Sequence, residues 1–164
     1  MTTHTRRAAI LGGVLAIALA GAAGAAKLAT KRALTLEIAK ELSAAAEAEA
    51  VKNNWTMVIA IVDDGGLLMH LIRRDGTQFG SIEVAQDKAR TAIGFRRPSK
   101  ALEDAVAGGR NAILGLNGAT PIEGGIPIVV DGEMVGAIGV SGGSSAQDGQ
   151  VAQAGINALE KILK

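Results

Sequence analysis

The chain has 164 residues, 48% of them hydrophobic, and a formal net charge of +1. That length suits one domain with a small appendage, and near-neutrality with only 2% aromatic residues argues against a nucleic-acid surface. No cysteine is present, which excludes disulfides, thiolate metal sites and covalent haem attachment.

Residues 1–25 read as a secretory signal peptide. Arg6 and Arg7 make a positive start, Ala8–Ala20 is the apolar stretch, and Ala20-Gly21-Ala22 and Ala23-Gly24-Ala25 offer cleavage sites. The twin arginine hints at export in the folded state. The competing reading is an uncleaved anchor, because residues 8–26 are uncharged and nearly long enough for a bilayer core of about 30 Å. Cleavage removes both arginines, no acid, and His4. It leaves 15 basic and 16 acidic residues, with His70 as the one imidazole. The expected destination is periplasmic or secreted, without membrane contact after cleavage.

Residues 26–33 read as a short basic linker, followed by a domain over 34–164. A helix is predicted from about Thr35 to Lys52, with Leu36, Ala39, Leu42, Ala46 and Ala50 near a 3.6 period and Thr35 as N-cap. Met57–Val62 and Leu67–Ile72 read as strands joined at Asp63-Asp64-Gly65-Gly66. A second helix is predicted from Ser81 to about Phe95, and a short one from Ser99 to Ala107, each capped by its serine. Gly108–Gly125 has no assignable pattern. Ile126–Val130 and Glu133–Val140 form a second hairpin around Asp131-Gly132, and a last helix covers about Ala146–Leu163. The order α-β-β-α-α-β-β-α implies an α+β domain, a two-layer antiparallel sheet with packed helices.

Three segments together resemble the GlcG/HbpS family, also called the haem-degrading or DUF336 family. They are Val62-Asp63-Asp64-Gly65-Gly66 through Arg74-Asp75-Gly76, Lys88-Ala89-Arg90-Thr91-Ala92 through Arg96-Arg97-Pro98-Ser99, and Gly125-Ile126-Pro127-Ile128 through Gly139-Val140-Ser141-Gly142 with Gln147-Asp148. The resemblance covers about residues 34–164. It implies a PAS/profilin-like sheet, homo-oligomers from dimers to octamers, and haem binding in the exported branch. There the implied role is haem sequestration or redox sensing, with a membrane sensor protein as a further partner. Other branches imply a protein for a small anionic metabolite, enzyme or binder, or an accessory assembly protein. No catalytic residue is assigned, and the balance favours a non-enzyme.

His70 is the candidate metal ligand, since a neutral imidazole binds haem iron. Strand alternation puts Leu68, His70 and Ile72 on one face and Met69 on the other, so Met69 and His70 are not expected to ligate together. Its ordinary alternative is a half-buried strand histidine. The family resemblance implies a threonine hydroxyl in haem binding, and Thr91 is the candidate, against a helix threonine bonding its own backbone. Arg90, Arg96 and Arg97 suit haem propionates through charge-assisted bonds, against a solvated face or subunit ion pairs. Gly139-Val140-Ser141-Gly142-Gly143 matches the G-x-S-x-G pattern, but a nucleophile there needs His70 in reach. The better reading places Ser141 and Gly142 at a tight turn whose free N–H groups suit an anion. The second hypothesis groups Arg96 with Gly142 in a small-anion pocket.

Overall fold

The computed structural model describes residues 26–164. The signal-peptide reading of 1–25 lies outside the described residues. Residues 26–35 are without helix or strand, and the first element is α1, Leu36–Lys52. Thr35 caps it, its hydroxyl accepting from the Ile38 N–H. Asn54, at φ 56°, ends it in the left-handed region, with Trp55 N–H donating to Ala50 O and Asn54 N–H to Val51 O. This crossed pair of bonds closes a Schellman-type end.

Strands β1 (Val58–Asp63) and β2 (Leu68–Arg73) form the first hairpin, and β3 (Gly125–Val130) and β4 (Glu133–Ser141) the second. The sheet order is β2-β1-β4-β3, antiparallel throughout. Asp131 and Gly132 have φ of 47° and 81°, the paired positive values of a primed hairpin turn. Asp63 accepts from the Gly65 and Leu67 N–H groups with one carboxylate oxygen, fixing the other turn. Both turns lie at the same end of the sheet, because β1 and β3 run together.

Between the hairpins come α2 (Ser81–Gly94), α3 (Lys100–Ala107) and a 3₁₀ turn over Asn111–Gly115. The last helix is α4 (Ser145–Asn157), broken at Ala158 from a short α5 (Leu159–Ile162). Ser144 and Gln147 form a reciprocal capping box at the start of α4. Ser81 and Ser99 do not cap their helices. The Ser81 hydroxyl meets that of Ser141 at 3.2 Å. The Ser99 hydroxyl donates to Ile122 O and accepts from Gly125 N–H, so tertiary partners outcompete the cap.

The α+β class and the antiparallel sheet stand as expected. Helices cover both faces, one layer more than two hairpins with a single helical layer. Met57, Ile59 and Ile61 of the first strand region pack with Leu42, Ala46, Val151 and Ala152 of α1 and α4. The alternate residues Val58, Ala60 and Val62 meet Ala85, Ala89 and Ala92 of α2. All of Val58–Val62 is fully buried, as expected of a strand covered on both sides.

Helix α2 rides unusually close to the sheet because two glycines face it. Gly125 and Gly139 are register partners on adjacent strands. A Cβ on Gly139 would stand 2.0 Å from Ala85 O, and one on Gly125 would stand 2.1 Å from Lys88 O. The glycine pair therefore forms a saddle that no larger residue fits.

Candidate functional site

The close seating of α2 fixes where its polar residues go. Lys88 is carried into the protein past Gly124, and its Nζ donates to Asp148 Oδ2 at 2.7 Å and to Val140 O at 3.1 Å. Asp148 Oδ1 accepts from the Gly143 N–H at 3.0 Å. The side chains are 1% and 4% exposed, so this ion pair is buried and joins the α2 layer to the α4 layer. Sequence reasoning missed it as a pair, because its members stand 60 residues apart. One signal was present: Lys88 falls in line with Ser81, Ala85 and Ala92 on the apolar side of its helix.

Thr91 is fully buried one turn further on. Its hydroxyl donates to Gly118 O and accepts from Thr120 N–H at 2.8 Å. It holds the glycine-rich segment rather than its own helix, and both hydrogen-bonding directions are used. That segment, α2 and the first hairpin turn border an open cavity of about 540 Å³. Leu67, Ile93 and Phe95 supply its apolar wall, and Gly66, Gly94 and Gly118 keep it open. Its ionisable lining groups are Arg90 and Asp64. Arg90 pairs with Asp87 at 3.0 Å and Gln86 at 3.1 Å while remaining exposed. Lys31, from the segment before α1, pairs with Asp64 at 2.5 Å. Asp64 pushes the Lys31 ammonium above its usual pKa, chiefly through the hydrogen bond.

Arg96 and Arg97 follow this cavity's edge at the end of α2 and are exposed. Arg96 holds φ 54°, where the helix ends in a Schellman motif: Arg97 N–H donates to Ala92 O and Arg96 N–H to Ile93 O. The Arg97 guanidinium donates to Phe95 O.

Ser141 and Gly142 lie at the opposite end of the sheet. Gly142 sits against the residues leading into β1, where a Cβ would stand 2.3 Å from Thr56 O. Helix α2 begins there, through the Ser81–Ser141 contact, and finishes beside Gly66, whose Cβ would meet Arg90 and Ile93. Its 14 residues span about 21 Å. Arg96 and Gly142 therefore do not share a pocket. Ser141 is buried and bonded to Ser81. His70 pairs with Ile61 and Ser141 with Val58, placing them about 10 Å apart along the strands and about 9.6 Å apart across them. No serine–histidine dyad forms.

His70 is half-buried on β2, an edge strand. A bulge between Ile61 and Val62 breaks the expected alternation. Opposite Ile61, His70 lies on the α1 face, and Met69 also packs against that face's core. Met69 and His70 thus share a side, contrary to simple period-two counting. Thr91 and Arg90 belong to the α2 side. Among the described residues no cluster of three or more His, Cys, Asp or Glu forms a metal site, and no helix is long and apolar enough to cross a membrane.

These features define an α+β domain in which a four-stranded antiparallel sheet, helical on both faces, carries an open, partly apolar cavity at its turn end. The family described as "Haem degrading protein HbpS-like" matches residues 34–157. Protein GlcG of Escherichia coli K12 is 45% identical over 112 residues, covering 68% of this chain and 84% of GlcG. A double mutant of HbpS from Streptomyces reticuli superposes with a TM-score of 0.74 at 33% identity, covering 85% of this chain and 98% of that one. A structure named as a PduOC:heme complex gives 0.70 at 30% identity, covering 77% and 95%. The chain belongs to the HbpS-like, or GlcG/HbpS, family.

Proposed function

We propose that this is an exported protein that binds haem non-covalently between copies of itself, serving haem sequestration or redox sensing. The observation that carries the reading is the turn-end cavity. Its Leu67, Ile93 and Phe95 wall suits the face of a flat apolar ring, and Arg90 at its rim suits a propionate. The donor set fits haem in these two respects. No His, Met or Tyr lines this cavity, so an iron ligand comes from outside it. His70 is the candidate, and it faces the other side of the sheet. A haem touched by both Arg90 and His70 is therefore shared by two copies of the chain, which makes self-association part of the binding. Haem, when bound, supplies one-electron redox chemistry; the chain's residues hold its carboxylates, cover its face and exclude water. A membrane sensor is the partner through which an exported protein would report that state inward. The family match and the haem complex of a relative support the same ligand.

Hemin titrated into the full chain is expected to give a saturable Soret band at micromolar concentration. Arg90→Gln is expected to weaken binding, and His70→Ala to change the position of the band. The absence of a saturable band in the wild-type protein refutes the proposal.

A further inference from the structure

The segment before α1 is stitched across the turn end of the sheet. Lys31 pairs with Asp64 in the first hairpin turn, and Arg32 with Asp131 in the second, each at 2.5 Å. Leu34, 7% exposed, anchors the stretch behind them, against a sheet glycine: a Cβ on Gly136 would stand 3.1 Å from Leu34 Cδ2. Lys31 and Arg32, which read as linker, are thus part of the folded domain.

Only one of the two ion pairs touches the cavity. Asp64 lines it, whereas Asp131 does not. Among the lining groups and their ion-pair partners, Asp64 and Asp87 carry negative charge, and Arg90 and Lys31 positive. Without Lys31 the balance is −1, and an incoming carboxylate meets the unneutralised Asp64. With Lys31 it is zero. The Lys31 side chain is 71% exposed while its ammonium is engaged by Asp64 at 2.5 Å, so its part is to neutralise that acid.

We propose that Lys31 neutralises Asp64 at the rim of this cavity, so that Arg90 takes a carboxylate of a flat ligand without repulsion from that acid. This rests on the haem reading above and adds a residue and a selectivity to it. Lys31 is a positioning and specificity residue: it sets the charge of the rim and leaves the ring contact to Leu67, Ile93 and Phe95. The flexible pair is exposed, so its effect is modest and is screened by salt.

The test is a set of hemin titrations on the full chain, as wild type, Lys31→Gln, Asp64→Asn, the double variant and Arg32→Gln, repeated with hemin dimethyl ester. Lys31→Gln is expected to weaken hemin binding about two- to five-fold at low salt. The double variant is expected to return to within about two-fold of wild type, because the acid that needed neutralising is gone. Arg32→Gln loosens the same segment without changing the cavity charge, so its hemin affinity stays at the wild-type value. The ester, which has no free carboxylate, is insensitive to Lys31. Wild-type binding with no response to Lys31→Gln overturns this inference and leaves the haem reading standing. An equal loss in Lys31→Gln and Arg32→Gln also overturns it, since the segment's anchoring would then be the cause. A wild-type protein that binds no hemin overturns both.

Discussion

Replacing Lys88 by methionine isolates the buried ion pair. Methionine keeps much of the volume and removes the charge. Asp148, 4% exposed, would keep one partner, the Gly143 N–H, and lose the ammonium 2.7 Å away. An uncompensated buried carboxylate costs about 3–5 kcal/mol. For a domain of this size that corresponds to a fall in Tm of about 10–20 °C. The second half of the test is Lys88→Met with Asp148→Leu. That double variant removes the stranded charge and, beyond the pair itself, gives up the bonds to the Gly143 N–H and to Val140 O, about 1 kcal/mol each. It is expected to regain part of the loss. Urea unfolding followed by far-UV circular dichroism measures all three proteins. A single variant within 1 kcal/mol of wild type, or a double variant no more stable than the single, refutes the argument that the pair is buried and mutually compensating.

Gly139→Ala places a Cβ 2.0 Å from Ala85 O and 2.9 Å from Ala89 Cβ. Helix α2 must lift, and a loss at or above the upper end of about 1–3 kcal/mol is expected in thermal unfolding; an unchanged Tm would show that the saddle has slack. Thr91→Val keeps the shape and removes the hydroxyl, stranding the Thr120 N–H at a cost of about 1–3 kcal/mol. Faster limited proteolysis within Gly108–Gly125 is the expected sign, and an unaltered cleavage pattern counts against this anchor. Glu49 is held below its ordinary pKa of 4.5, first by the Gln150 amide and then by that of Asn53. A depressed carboxyl stabilises the fold above the unfolded pKa, and this is lost as pH falls through the lower folded value. Glu49→Gln is therefore expected to lower Tm at pH 7 and to converge on wild type in acid. A gap that stays constant down to pH 3 would contradict the assignment.

The elements were legible where local chemistry decides them. The Ala39, Leu42, Ala46, Ala50 spacing marks one buried stripe, and Asp131-Gly132 marks a primed turn; both formed where expected. Coverage of the sheet on both faces, against the two-layer expectation, had its signal in the unbroken apolar run Val58–Val62, which that expectation did not use. The serine caps failed for a physical reason. The hydroxyls of Ser81 and Ser99 meet partners 60 and 23 residues away, and no helix-start pattern encodes those partners. Candidate site residues were found singly, without their grouping. Arg90 lines one cavity and the buried Thr91 holds its Gly118 edge, whereas Ser141 and Gly142 belong to the other end of α2. The length of that helix separates them.

His70 shows how one irregularity redirects a functional reading. Strand alternation sends Met69 and His70 to opposite faces. The bulge at Ile61/Val62 adds one residue to β2, and both then lie on the α1 side. Leu68, beyond the bulge, pairs with Val62 and faces α2. The same strand therefore offers its imidazole to one side of the sheet and an apolar flank, continuous with Leu67, to the other. A ring seated against Leu67, Ile93 and Arg90 has β2 itself between it and His70 of the same chain. Under the proposed function, iron ligation by His70 thus requires a second copy. Because β2 is an edge strand, its open side is where such a copy can approach without disturbing the core. On the proposed shared site, ligand and assembly are linked by mass action: whatever favours the haem favours the oligomer, and dilution weakens both together.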